Sequence, residues 1–142
     1  MTIQSSPSRA ELLAYLKKGA ENFNQGLYWE AHNDWETVWK HVVGQEKVYL
    51  QAMILICGVG YHLKRSHPNP AFKLARNAQV KLGSLGTGYA SRLGLSVSQI
   101  NQYLEELLKN PSAAPDLDLD LDLDLALSQL LKLRATVNDL AA

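Results

Sequence analysis

The chain has a single cysteine, Cys57, so it can form no internal disulfide and must hold its fold by packing alone. It lacks a long apolar run: the longest, residues 52–61, is well short of the ~20 residues that a membrane-crossing helix needs. The start, MTIQSSPSRAELL, has no basic stretch followed by an apolar one, so no secretory signal is expected, and the default setting is cytoplasmic. Net charge is zero, which argues against a chain built mainly to hold nucleic acid. Acid is also missing locally. Residues 47–104 carry seven basic groups and no Asp or Glu, whereas residues 1–46 sum to −2 and residues 105–142 to −5. A cationic block therefore lies between two anionic ones.

At 142 residues, with 46% apolar and 20% charged residues, the chain has the size and composition of one globular domain. A chain of this length buries roughly two thirds of its unfolded surface, enough for a core without staples. Cys57 sits inside AMILICGVGY with no charge beside it, the setting of a small buried hydrophobe rather than a reactive thiol.

Helical periodicity runs through most of the chain. SRAE at residues 8–11 is a capping box, with Leu12, Leu13, Leu16 and Ala20 following at helical spacing until Asn24 to Gly26 break it. A second helix is expected over about residues 27–41. On a wheel of ~100° per residue, Tyr28, Trp29, His32, Trp35, Glu36 and Trp39 fall in one sector roughly 120° wide, assigned to the core. Glu30, Asn33, Asp34, Thr37 and Lys40 fall outside it. A third helix, about residues 46–65, is apolar nearly all round, which marks a central helix. Gln51, Leu55, Gly58 and His62 share one stripe along it, with the glycine letting another helix approach.

SHPNP stops that helix and starts a fourth, about residues 70–85, with His67 solvated in the turn. GSLGTG ends the fourth helix; with no strand before it, it is not a dinucleotide loop. Ser96 opens a fifth helix that runs to Lys109. The repeat DLDLDLDLDL, residues 116–125, begins like a calcium loop, but Leu121 and Leu127 stand where the required glycine and bidentate glutamate would be. The expected architecture is all-α: a single-domain, irregular up-down bundle of five to six helices. Residues 1–109 form the bundle, 110–121 an acidic low-complexity linker, and 122–142 a last helix that packs on it.

The chemistry gathers where the second and third helices would face each other. His32 and Glu36, one turn apart, would oppose Gln51 or His62. One reading makes this a buried His–Glu–Gln network, with the tryptophan indoles finding acceptors nearby, in a non-enzymatic binding or interaction module. A second makes His32 and Glu36 the acid–base pair of a small-molecule enzyme. A third lets His32, Glu36 and His62 hold a divalent metal, though the paired carboxylate motifs of di-iron bundles are absent. The binding set expected on these grounds is Glu30, His32, Trp35, Glu36, Trp39, Gln51 and His62, with no cofactor assigned. Another class of function comes from Lys64, Arg65, Lys73, Arg76, Lys81 and Arg92, a basic face that could hold an anion or nucleic acid. The pattern has no aromatic interleaving, so a solvated face is the blander account, and the Asp-rich tail could lie across it as a screen. Surplus apolar surface on a small bundle also points to a homodimer.

FNQGLYWEAHNDWETVW followed by YLQAMILICGVGYH resembles the signature of the bacterial and plastid domain of unknown function 309 family. The matching positions are Phe23, Asn24, Gly26, Tyr28, Glu30, His32, Trp35, Glu36, Trp39, Leu50, Gln51 and His62. Asn33 replaces the glutamate that usually follows the histidine, and Leu55 replaces the second glutamine of the later segment. The resemblance implies a compact all-helical fold and assigns no activity. The Leu-Asp repeat is outside the family pattern.

Overall fold

A computed structural model of the chain describes residues 7–85 and 97–109. The expected last helix and the Leu-Asp repeat lie outside the described residues, as does Arg92. Among the described residues there are five α-helices and no strand: α1 Arg9–Asn24, α2 Tyr28–Trp39, α3 Gln45–Lys64, α4 Pro68–Gly83 and α5 Val97–Lys109. Each packs on its neighbours in sequence, α1 on α2, α2 on α3, α3 on α4 and α4 on α5, and the connections within the first four helices are short, as in an up-down bundle.

The ends of the helices follow local chemistry. Ser8 Oγ accepts from the Glu11 amide at 3.1 Å, while the Ser8 amide donates to Glu11 Oε1 at 3.1 Å, so both halves of the capping box form. Gly26 at φ +77° and Gly44 at φ +72° turn the chain between α1 and α2 and between α2 and α3, in a backbone region other residues enter at a cost. Helix α4 begins two residues earlier than expected, with Pro68 in its first turn, because proline fixes the helical φ and needs no donor there.

Helix α3 has the position its composition demands. Tyr49, Leu50, Ala52, Met53, Ile56, Cys57, Val59 and Gly60 are buried along it, between α2 on one side and α4 on the other. Two glycines set those approaches. A Cβ on Gly60 would come within 2.7 Å of the Tyr28 ring on α2, and one on Gly58 within 2.7 Å of Leu74 Cδ1 on α4.

Helix α2 is rotated from the wheel drawn on its aromatics. Its buried residues are Tyr28, Ala31, Asp34, Trp35 and Val38, so the small Ala31 is at the centre of the core face and Trp29 is at its edge, 55% exposed. Asp34, expected outside, is only 8% exposed. It accepts a 2.8 Å hydrogen bond from Asn22 Nδ2 on α1, which supplies the partner a buried carboxylate needs. Trp35 is fully buried, stacks on Phe23 with ring centroids 5.5 Å apart, and donates from its indole nitrogen to the Leu16 carbonyl at 3.2 Å. Gly19 makes room for that indole: a Cβ there would collide with Trp35 Nε1.

Candidate functional site

The rotation of α2 moves its histidine from the core to the rim. His32 Nε2 is 3.7 Å from Glu36 Oε2, with the two side chains 29% and 42% exposed. The pairing expected from the i, i+4 spacing is present, but it is a half-exposed pair, not the buried network expected. Glu36 also lies 3.8 Å from Lys40 Nζ, and His32 Nδ1 is 3.2 Å from the Asn33 side-chain oxygen. Gln51 does not complete the set: it is half-buried on α3, and no hydrogen bond joins it to His32 or Glu36 among the described residues. The physical reason is the wheel angle. With Ala31 and Asp34 inward, a residue at position 32 lies at the flank of the helix.

That flank borders a cleft. Between α2, α3 and α4 lies a space of about 230 Å³, bounded by Trp29 and His32 from α2, Leu55, Gly58, Tyr61 and His62 from α3, and Leu74 from α4. Tyr28, Ile54 and Cys57 form the rest of its surface. Of the stripe Gln51, Leu55, Gly58 and His62 on α3, the last three line the cleft and Gln51 does not. Gly58 leaves part of the space open simply by having no side chain, since even a methyl group there would press on Leu74.

Aromatic rings form the mouth. The Trp29 and His32 rings are parallel within 5° at 5.5 Å between centroids, and Trp29 meets Tyr61 at 5.7 Å. Tyr61 continues edge-on to His62 at 5.4 Å, and His62 approaches His67 at 6.2 Å. His62 Nδ1 is buried and meets no hydrogen-bond partner among the described residues, an uncommon state for a buried ring nitrogen. The Arg65 guanidinium lies over the Tyr61 ring at 5.1 Å. Lys64 is used otherwise: its ammonium donates to the Gly26 carbonyl at 2.9 Å and faces the Tyr28 ring, tying the α1–α2 turn to the end of α3.

The remaining expected site residues are dispersed. Glu30 is exposed, and Trp35 is a core residue. Trp39 is half-buried under the Lys47 ammonium, 4.4 Å from its ring, and its indole nitrogen finds no acceptor among the described residues, unlike that of Trp35. No group of three His, Cys, Asp or Glu side chains among the described residues lies close enough to hold a metal ion, so His32, Glu36 and His62 do not converge as ligands. Cys57, at the back of the cleft, has its thiol pushed well above its ordinary range by burial, which outweighs the lowering effect of a backbone hydrogen bond; the Asp34 charge adds a smaller upward push. It is a thiol that resists becoming a nucleophile. Of the basic face, Lys73 and Arg76 are exposed on α4 and Lys81 is half-buried.

A helical bundle with an aromatic-mouthed cleft between three consecutive helices is thus the class to which fold and site assign the chain. No described helix is long and apolar enough to cross a membrane. Residues 16–74 match the family model described as Domain of unknown function (DUF309), and this segment carries the whole motif and every residue that lines the cleft. No curated protein and no solved structure matches the chain.

Proposed function

We propose that the protein is a binding module that takes a small, largely apolar molecule in the cleft between α2, α3 and α4. One observation carries the reading: Trp29 stays 55% exposed at the edge of a cleft whose walls are Ile54, Leu55, Tyr61 and Leu74. A large apolar ring at the lip of an apolar concavity, with a few polar atoms nearby, is the common form of a small-molecule site. An enzyme built on the same residues has weaker support. The His32–Glu36 separation of 3.7 Å is beyond hydrogen-bonding distance, and the one thiol in the cleft is held in its neutral form.

The test is a titration of the full chain with neutral one- and two-ring aromatics, followed by two-dimensional NMR. Saturable shifts centred on Trp29, Leu55 and Tyr61, abolished by Trp29→Ala, are expected. Saturable shifts elsewhere, or binding indifferent to Trp29→Ala, would sink the reading. The proposal keeps a cytoplasmic setting and a homodimer. Among the described residues Tyr15, Leu27, Trp29, Val43 and Val80 are the large apolar side chains left exposed, and a partner copy would cover such groups. Light scattering that gives a monomer at micromolar concentration removes the dimer and leaves the cleft reading standing.

A further inference from the structure

We propose that the cleft is selective for an aromatic carboxylate: a small ring system lying among Trp29, Leu55 and Leu74, with its carboxylate at the His62–Arg65 end. The inference rests on the cleft reading above and adds a charge to it.

The size of the space limits the ring system. An apolar cavity of ~150 Å³ accepts a benzene ring, so the 230 Å³ here suits two fused rings or one ring with a short substituent. The walls suit a flat apolar body, because Trp29, Tyr61 and the aliphatic groups of Leu55 and Leu74 offer ring faces and methyl groups.

The charge follows from what borders each end. From residue 47 onward α3 and α4 contain no acid, so every ionic group they bring to the cleft is cationic. At the end of α3, Arg65 lies against the Tyr61 wall and forms no ion pair with any described carboxylate. His62 has a buried ring nitrogen without a partner, and His67 adds a second imidazole 6.2 Å away. The C-terminal end of α3 and the N-terminal end of α4 meet at the same turn, so their opposite partial charges offset each other and the side chains set the local sign. The acids near the cleft are Asp34, buried behind Cys57 and held by Asn22, and, beside His32, Glu36. Glu36 faces His32 at 3.7 Å and Lys40 at 3.8 Å, which spend its charge locally. A carboxylate at this end of the cleft would lie near the Arg65 guanidinium, which no described carboxylate occupies and whose planar fork matches its two oxygens.

Calorimetric titration of the full chain with three probes of one ring system tests this: 2-naphthoate, 2-naphthamide and 2-naphthylmethylamine. The naphthoate should bind about tenfold more tightly than the amide, as one charge-assisted contact implies, and the amine most weakly. Arg65→Gln, at an exposed position, should remove most of that preference. Equal affinity for acid and amide overturns the selectivity while the cleft reading stands. Tighter binding of the amine also overturns it, since Glu36 would then set the sign. A preference for the naphthoate that survives both Arg65→Gln and His62→Gln overturns it as well. If none of the three binds, the cleft reading falls and this inference falls with it.

Discussion

Two tryptophans six residues apart on α2 live in opposite surroundings. Trp35 is fully buried, stacked on Phe23, hydrogen-bonded through its indole to Leu16 and fitted over Gly19, whereas Trp29 is more than half exposed, resting on His32 and Tyr61. The first has every polar and apolar requirement met inside the protein. The second leaves a large ring in water beside an open cleft, where it costs stability unless something covers it. Sequence composition weights the two alike; geometry separates a residue that builds the fold from one that is free to bind.

The contrast is broken most directly by truncating each ring. Trp35→Ala removes a fully packed side chain and leaves a cavity, so a loss of about 3–5 kcal/mol in unfolding free energy is expected by chemical denaturation. Trp29→Ala should change the same quantity by less than about 1 kcal/mol, since surface substitutions seldom do more. Equal losses at both positions would mean that Trp29 is structural and that its exposure misrepresents its role.

Next in size is the polar contact that backs Trp35. Asp34→Ala strands the Asn22 amide near the core, at an expected cost of about 1–3 kcal/mol. Removing both partners should cost less than the sum of the single losses, because the double variant leaves neither group unsatisfied. Strict additivity in that cycle would show that the pair is not coupled.

Much of this was legible in advance. The capping box at Ser8, the turn glycines 26 and 44, the apolar α3 between its neighbours and, Gln51 apart, the stripe through Leu55, Gly58 and His62 all follow from local rules that tertiary structure then kept. The family motif marked the right stretch, and residues 16–74 bear it out. The orientation of α2 was not legible, because a wheel weighted by large aromatics points at Trp29 and Trp39, while packing against α1 selects the small Ala31. Reading Ala31, Trp35 and Val38 as the stripe, at spacings of four and three, would have brought Asp34 inward and moved His32 to the flank. Nor could spacing show that Gly58 and Leu74 border the cleft from two helices, since that juxtaposition is tertiary.

Cys57 gives a smaller effect with a definite sign. Its thiol is raised in the folded state, so below its ordinary value of 9.0 both states keep the proton and nothing is lost. Above that value the unfolded chain releases the proton while the folded chain holds it, and stability falls as pH rises, by up to roughly 1 kcal/mol per pH unit. Denaturation midpoints at pH 8 and pH 10 should therefore differ more for the parent chain than for Cys57→Ala, a comparison that cancels the titration of other groups. The same difference in both proteins would mean that the thiol ionises freely and that the back of the cleft is open to water.

The smallest effect decides most about the histidine. A buried His–Glu–Gln network would make His32→Ala costly, because partners would be left without hydrogen bonds in the core. The pair actually spans 3.7 Å with both side chains substantially exposed, and such pairs contribute about 0–1 kcal/mol. His32→Ala should therefore fold normally and lose less than about 1 kcal/mol. It should also lose the ring on which Trp29 rests, so the Trp29 indole becomes more mobile and probes of the cleft bind more weakly. The two readouts separate the possibilities: a large stability loss restores the network, whereas an unchanged fold with weakened binding puts His32 in the wall of the site.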